Sequence, residues 1–174
     1  MFEKFTNAAR ETVLAAVTEA QQDHAPKVTE QHLLLALLTH GATTAKILAS
    51  ADVTRDKIVT AYQTVERQAG LTEADAAALR DLGIDLDEVV KQVENTHGEN
   101  VLASRGPRRE RRHVPFTPEA KQVLVGALRE GRELNNRSLG DEHILLAMAA
   151  RGDVAAQVLA ANGLDYRELR AKAS

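Results

Sequence analysis

Two histidines stand at the same place in two near-identical phrases, KVTEQHLLLALLTHG (Lys27 to Gly41) and SLGDEHILLAMAARG (Ser138 to Gly152). An imidazole can ligate a metal or pass a proton near neutral pH, so His32 and His143 are the first residues to weigh for chemistry. Neither has the company that such chemistry needs. The phrase DEHILLA is not His-Glu-x-x-His, and no His, Asp or Glu at ligand spacing accompanies either ring. The preferred reading is structural, with each ring packing while it bonds a neighbouring loop. The chain has no Cys, which removes disulfides, thiolate metal sites and thiol nucleophiles. It has no Gly-x-Ser-x-Gly elbow. A phosphate-cradling loop requires Gly-x-x-x-x-Gly-Lys-Ser/Thr, and no Gly-Lys pair occurs anywhere, so ATP hydrolysis is excluded. The expectation is a non-enzyme with no catalytic residue, no metal and no cofactor.

What positions the two histidines is an internal repeat. At an offset of 111, without a gap, Phe5 meets Phe116, Thr6 meets Thr117, Ala9 meets Ala120 and Glu19 meets Glu130. Further on, His32 meets His143, Leu34 meets Leu145, Gly41 meets Gly152 and Leu48 meets Leu159. The matched positions are mainly apolar at helical spacing, so the repeated quantity is a packing pattern. Each copy reads as four short helices. The first is capped by Thr6 or Thr117, with Pro118 at the favoured first helical position. The second carries the quoted phrase, apolar nearly all round and so central, and stops at Gly41 or Gly152, where a left-handed cap suits glycine. The third spans about 43–50 or 153–162. The fourth follows Val53 or Leu164 behind Thr54 or Asp165.

Residues 71–98 contain two further helices, starting after Thr72 and Asp85 and broken at Gly83. A shift of 31 places Ala45 on Ala76, Leu48 on Leu79, Asp56 on Asp87 and Val59 on Val90, so this stretch reads as an extra half-unit, a duplicated last pair of helices. Residues 99–113 (ENVLASRGPRRERRH) carry Gly, Pro and clustered Arg without an apolar period and read as a flexible linker. The arginines lack interleaved aromatics and the formal charge is −3, so neither nucleic acid nor membrane is expected as a partner. Aromatics make up 3% of the chain, so the interior must be Leu, Val, Ile and Ala, a helix-forming mixture. The N-terminus has no apolar h-region and no run approaches a spanning helix, which leads to a cytoplasmic expectation. The organisation expected is all-α: repeat 1 over 1–70, half-unit over 71–98, linker over 99–113 and repeat 2 over 114–174, with both repeats in one domain.

The residues MFEKFTNAAR, HVPFTPEAK and the twin EHILLA-like phrases resemble the N-terminal Clp repeat domain of ClpC-, ClpA- and ClpB-type AAA+ unfoldases. The resemblance covers most of the chain and implies two four-helix repeats packed as pseudo-twofold partners. It departs in the half-unit and Arg-rich connection, and in ending where an unfoldase would continue into its ATPase modules. That ending reads as a free-standing docking domain.

The resemblance also implies sites. In ClpC-type domains the stretch before the histidine reads Gly-Thr-Glu-His, and its glutamate takes part in some members in holding phosphoarginine. Glu142 matches that glutamate and Gln31 replaces it in the first copy, while Asp141 and Glu30 stand for the threonine. A carboxylate can grip a guanidinium and free N–H groups at a helix start accept phosphate. The added negative charge of Asp141 and Glu30 should weaken such binding. The favoured reading makes these acids complements of the helix dipole. Phe2 and Phe116 match the two phenylalanines that border a cyclic-peptide antibiotic pocket in actinobacterial ClpC-type domains. The alternative is that all three phenylalanines cover the core between the repeats; for Phe5 that reading is preferred, and for Phe2 the two readings stand level.

The resemblance implies a non-enzymatic module of the Clp proteolytic system that binds peptides, substrates or adaptors. Such a module can act as a decoy that lowers the free concentration of those ligands, cyclic peptide antibiotics included. The alternative is a regulatory partner that docks on a ClpC-type unfoldase, or on itself, through a repeat face; a third reading is an enzyme with an unrecognised site.

Overall fold

The computed structural model describes residues 2–68, 71–98 and 114–173. The segment expected as a linker, 99–113, lies outside the described residues. A short 3-10 turn at Phe2–Lys4 precedes the helices α1 (Asn7–Gln22), α2 (Glu30–His40), α3 (Thr44–Ser50) and α4 (Arg55–Arg67). The helices α5 (Glu73–Asp81) and α6 (Leu86–His97) follow. The second repeat then supplies α7 (Pro118–Glu133), α8 (Asp141–Ala149), α9 (Val154–Ala161) and α10 (Tyr166–Ala173). No strand occurs among the described residues, and no single described helix is long and apolar enough to cross a membrane. The chain divides into two compact units, one of residues 1–58 with 108–174 and the other of 59–107.

The first unit is built from the two copies. The hydroxyl of Thr6 caps α1 by accepting from Ala9 N at 3.1 Å, and that of Thr117 caps α7 by accepting from Ala120 N at the same distance. In both copies the first helix packs along the second, α1 on α2 and α7 on α8. Leu33, Leu34, Leu37, Ile144, Leu145 and Met148 are fully buried, and α2 and α8 also touch each other, so the leucine-rich helices form the centre. Burying each such side chain contributes about 1.5–3 kcal/mol, and the buried apolar side chains among the described residues are aliphatic apart from Phe5.

The seam between the copies shows the twofold relation in hydrogen bonds. Thr6 N donates to Leu139 O and Thr117 N to Val28 O, each at 2.9 Å. Leu139 N donates to Lys4 O and Val28 N to Pro115 O, each at 2.8 Å. Every bond in one pair becomes its counterpart in the other when 111 is added or subtracted. The two parallel bridges that result, Phe5 with Leu139 and Val28 with Phe116, swap partners between the repeats, as in an isologous dimer.

A buried glutamate common to both copies ties the first helix to the fourth. Glu19 accepts from both terminal nitrogens of Arg55, one at 3.1 Å, and this pairing holds its carboxyl below the usual range. Glu130 accepts from Tyr166 Oη at 2.8 Å and from Arg170 at 3.4 Å.

One cap differs from the sequence expectation. Gly152 lies in the left-handed region at φ 72°, but Gly41 has φ −65° and ψ 127°, which any residue adopts. Gly41 is glycine for space: a Cβ there would stand 1.9 Å from Thr44 Oγ1 and 2.5 Å from Leu37 O.

In the second unit, Ala76, Leu86 and Val90 form a small core with Leu71 and Leu79 packed against it. Thr72 and Asp75 form a capping box on α5, and Asp85 caps α6. Gln68 Nε2 reaches Asp87 Oδ1 at 3.3 Å, and Arg67 reaches Glu94 Oε2 at 3.1 Å.

Candidate functional site

The start of the second helix in each repeat gathers most of the residues singled out above. His32 is the third residue of α2, and its Nδ1 accepts from Thr29 N at 2.9 Å. His143 occupies the same place in α8, and its Nδ1 accepts from Gly140 N at 3.0 Å. Each ring therefore returns to the backbone N–H just ahead of its helix, the arrangement of a capping box with imidazole in place of glutamate. With Nδ1 accepting, Nε2 carries the proton. In the first repeat it faces Asp23 Oδ2 across 3.6 Å; in the second it lies 2.9 Å from the side-chain amide of Asn136, which accepts from it with its oxygen turned toward the ring.

Asp141, the first residue of α8, is 2% exposed and turns away from its own helix. Its Oδ2 accepts from Thr43 N at 3.0 Å, Thr44 N at 2.9 Å and Thr44 Oγ1 at 2.8 Å. Those groups open α3 of the other repeat, whose own N-cap residue Thr43 makes no side-chain cap. A carboxylate at a helix start satisfies orphan N–H groups and meets the positive end of the dipole. Asp141 is thus the missing cap of α3, supplied across the seam.

The twofold counterpart is built differently. Glu30, the first residue of α2, reaches the start of α9, but α9 already has Asp153 as its cap, with Oδ1 accepting from Ala156 N at 3.3 Å. Arg151 stands between the two acids, its Nε 3.0 Å from Glu30 Oε1 and 2.8 Å from Asp153 Oδ2. Burial, and then the neighbouring Asp153 carboxylate, push the Glu30 carboxyl up to about 7. Both acids that the sequence assigns to their own helix dipoles therefore address the opposite repeat instead. Only hindsight identifies the partner residues, because Thr44 lies 97 positions from Asp141.

Glu142 is half-buried and folds back over Gly140. Its Oε1 lies 3.2 Å from His143 Nδ1, and a Cβ at Gly140 would stand 2.1 Å from its Oε2. Gln31 is half-buried at the matching place on α2. Because Asp141 at the start of α8 meets residues just past the end of α2, and Glu30 meets Arg151 just past the end of α8, these helices run antiparallel. Glu142 and Gln31 consequently sit at opposite ends of the pair, about 15 Å of helix apart, and do not form one site.

Phe5 is buried at the seam and Phe116 is half-buried in the matching bridge. Phe2 opens the 3-10 turn, but its side chain lies outside the described residues. The first helix of each repeat also holds a large apolar side chain in solvent. Leu14 on α1 and Val125 on α7 are 66% and 51% exposed, and they are repeat equivalents, 111 positions apart. The buried stripe of these helices runs through Ala9, Val13, Ala16 and Ala20 on α1 and through Ala120, Leu124 and Ala127 on α7. The available signal was that Leu14 and Val125 fall off that stripe, in register with each other.

An all-α domain made of two helical repeats, joined by exchanged bridges and a capping acid, defines a class of doubled-repeat module. The family model of the Clp repeat N-terminal domain matches residues 4–74 and 68–162, and the chain belongs to that family. Among curated relatives, the chloroplastic chaperone protein ClpC1 of Oryza sativa subsp. japonica is 30% identical over 171 residues, 98% of this chain and 15% of the relative. ClpC1 of Arabidopsis thaliana is 30% identical over the same length and 14% of the relative. The chain thus spans about 15% of the length of these relatives. Among solved structures, the N-terminal domain of the chaperone ClpD from Arabidopsis thaliana superposes with a TM-score of 0.55 at 22% identity. The match covers 99% of this chain and 94% of that one. A chain from a malarial protein secretion system superposes at 0.61 with 13% identity, covering 97% and 91%. Both establish the likeness of fold.

Proposed function

We propose that this protein is a non-enzymatic binding module of the Clp proteolytic system that takes up peptides, substrates or adaptors. The observation that carries the reading is the pair Leu14 and Val125: two large apolar side chains held in solvent at equivalent places, on the helices that follow Phe5 and Phe116. Side chains of that kind, fixed on rigid helices, supply the anchors that a peptide needs. Phe116, half-buried ahead of α7, is a further candidate anchor, and the resemblance adds Phe2. Membership of the Clp repeat family supports the assignment to Clp proteolysis, and the ClpC-type relatives suggest an unfoldase as the source of shared ligands. Binding by mass action lowers the free concentration of such ligands, so the module works as a decoy without chemistry. Cyclic peptide antibiotics are among the ligands it sequesters, and the cytoplasm is where it acts.

Titration calorimetry with a cyclic peptide antibiotic of the ClpC-directed class tests this. Phe116→Ala and Phe2→Ala should each weaken binding at least tenfold. Unchanged affinity in both variants removes the pocket.

A further inference from the structure

The turn joining α5 to α6 reproduces the turn joining the last two helices of each full repeat. Ile84 N donates to Leu79 O at 2.9 Å, as Val53 N does to Leu48 O and Leu164 N to Leu159 O. The turn residue has positive φ in all three: Asp52, Gly83 and Gly163. The next helix is capped at the same position each time, Lys57 N on Thr54, Glu88 N on Asp85 and Glu168 N on Asp165. The surroundings are what differ. In the full repeats, Leu48, Val53 and Ile58, and Leu159, Leu164 and Leu169, are all buried, and in the second repeat α9 and α10 both lie against the leucine-rich α8. The half-unit has no counterpart of α8. Its Ile84 and Val89, equivalent to Val53 and Ile58, are 45% and 44% exposed, and Leu82 beside them is 78% exposed. Its own small core is made instead by Leu86 and Val90.

We infer that the face formed by Leu82, Ile84 and Val89 is a docking site for an amphipathic, basic α-helix of a partner protein. The second repeat shows what covers the equivalent positions Leu164 and Leu169, the apolar helix α8, Asp141–Ala149. Charge selects the rest of the partner: residues 71–98 carry seven carboxylates against Arg80 and Lys91, and Asp81, Asp85 and Glu88 are exposed around the patch. A helix with leucines on one face and lysines or arginines flanking them satisfies both features. A second copy of this chain does not. It would bring another acidic rim, and two such patches bury far less than the roughly 1,200 Å² of a stable pair.

The test uses the full chain and a labelled synthetic helix of about fourteen residues, with leucines at helical spacing and lysines elsewhere, read by fluorescence anisotropy near physiological salt. Saturable binding is expected, at least tenfold weaker for a scrambled peptide of the same composition. Ile84→Asp with Val89→Asp should also weaken it at least tenfold, with unchanged circular dichroism and thermal midpoint, because both positions face solvent. Phe116→Ala, in the other unit, should bind as the parent does. Equal binding by the scrambled peptide or by the double variant overturns the inference. So does sedimentation showing a dimer that the double variant dissolves.

Discussion

Replacing Asp141 by alanine removes a carboxylate acceptor at the start of α3 and leaves two backbone N–H groups and the Thr44 hydroxyl without it. Thr44 also bonds Leu37 O at 3.0 Å, so its hydroxyl retains one partner, whereas the amides of Thr43 and Thr44 lose theirs. A buried donor left unsatisfied costs about 1–3 kcal/mol, and the favourable contact between carboxylate and helix dipole is worth about 0.3–1 more. Thr44 is buried and Thr43 is exposed, so one full penalty and a smaller one give an expected destabilisation of about 2–4 kcal/mol, a large part of the ~5–15 kcal/mol typical of a domain. Asp141→Asn keeps one acceptor oxygen without the charge and should cost about 1–2 kcal/mol. Thr44→Val removes one donor, and in a double-mutant cycle with Asp141→Ala the two should couple by about 1 kcal/mol. With no Trp in the chain, urea unfolding is followed by far-ultraviolet circular dichroism, and hydrogen exchange at the Thr43 and Thr44 amides reports the bonds directly. If Asp141→Ala costs less than ~1 kcal/mol, or those two amides exchange no faster, the trans cap is not what joins the repeats.

Glu30 should behave in the opposite sense. Its folded carboxyl holds a proton up to about 7 against an ordinary 4.5, so between those values the folded state binds more protons and stability falls as pH rises. The whole difference converts to ~3 kcal/mol, reduced to about 1–2 by solvent screening of a partly open group. Glu30→Gln should therefore leave stability at pH 4 unchanged and raise the thermal midpoint at pH 8 by several degrees, ~2–4 °C per kcal/mol; parallel melting profiles across pH would show that Arg151 already neutralises the site. Gly41→Ala should cost about 2–4 kcal/mol in urea titrations, because the new methyl falls on Thr44 Oγ1 and Leu37 O, and a wild-type midpoint would refute the close approach. Tyr166→Phe withdraws the hydroxyl that donates to buried Glu130, with an expected loss of about 1 kcal/mol.

The helices and their pairing were legible because they follow local rules repeated along the chain. The threonine caps at Thr6 and Thr117, the apolar phrase around Leu34 and Leu145, and the break at Gly83 each depend on neighbours within a few residues. The all-α two-repeat architecture likewise followed from a gap-free offset that pairs Phe5 with Phe116. The destination of the acids was not legible. Asp141 and Glu30 look alike in sequence, each the first residue of a leucine-rich helix, and a dipole argument treats them alike. Their fates are decided by what stands opposite: an uncapped α3 with free amides for Asp141, and an α9 already capped by Asp153 for Glu30. Gly41 and Gly152 diverge for a related reason, since Asp141 Oδ2 would lie 2.8 Å from a Cβ at Gly41, whereas no atom lies within 4 Å of one at Gly152.

That divergence bears on where binding surfaces lie. A twofold scaffold offers every surface feature twice, and a ligand needs only one copy to fit. The seam bonds, the histidine caps and the buried glutamates are duplicated, as structural necessities must be in both halves. Leu14 and Val125 are duplicated too, although neither is needed to fill the core. Solvent-facing leucine and valine are not required by packing, and under the proposed function they are contact points for a ligand. At the helix starts the symmetry is broken instead. Glu142 folds over Gly140 in one repeat, whereas the other has Thr29 in the place of that glycine and an uncharged Gln31. A guanidinium-bearing ligand therefore meets a carboxylate at one end of the α2/α8 pair and an amide at the other. Any such recognition should follow Glu142 alone: Glu142→Gln would abolish it and Gln31→Glu would create a second, weaker site, both readable in the stoichiometry of a phosphoarginine titration. Equal loss on changing Gln31 to Ala would contradict the asymmetry.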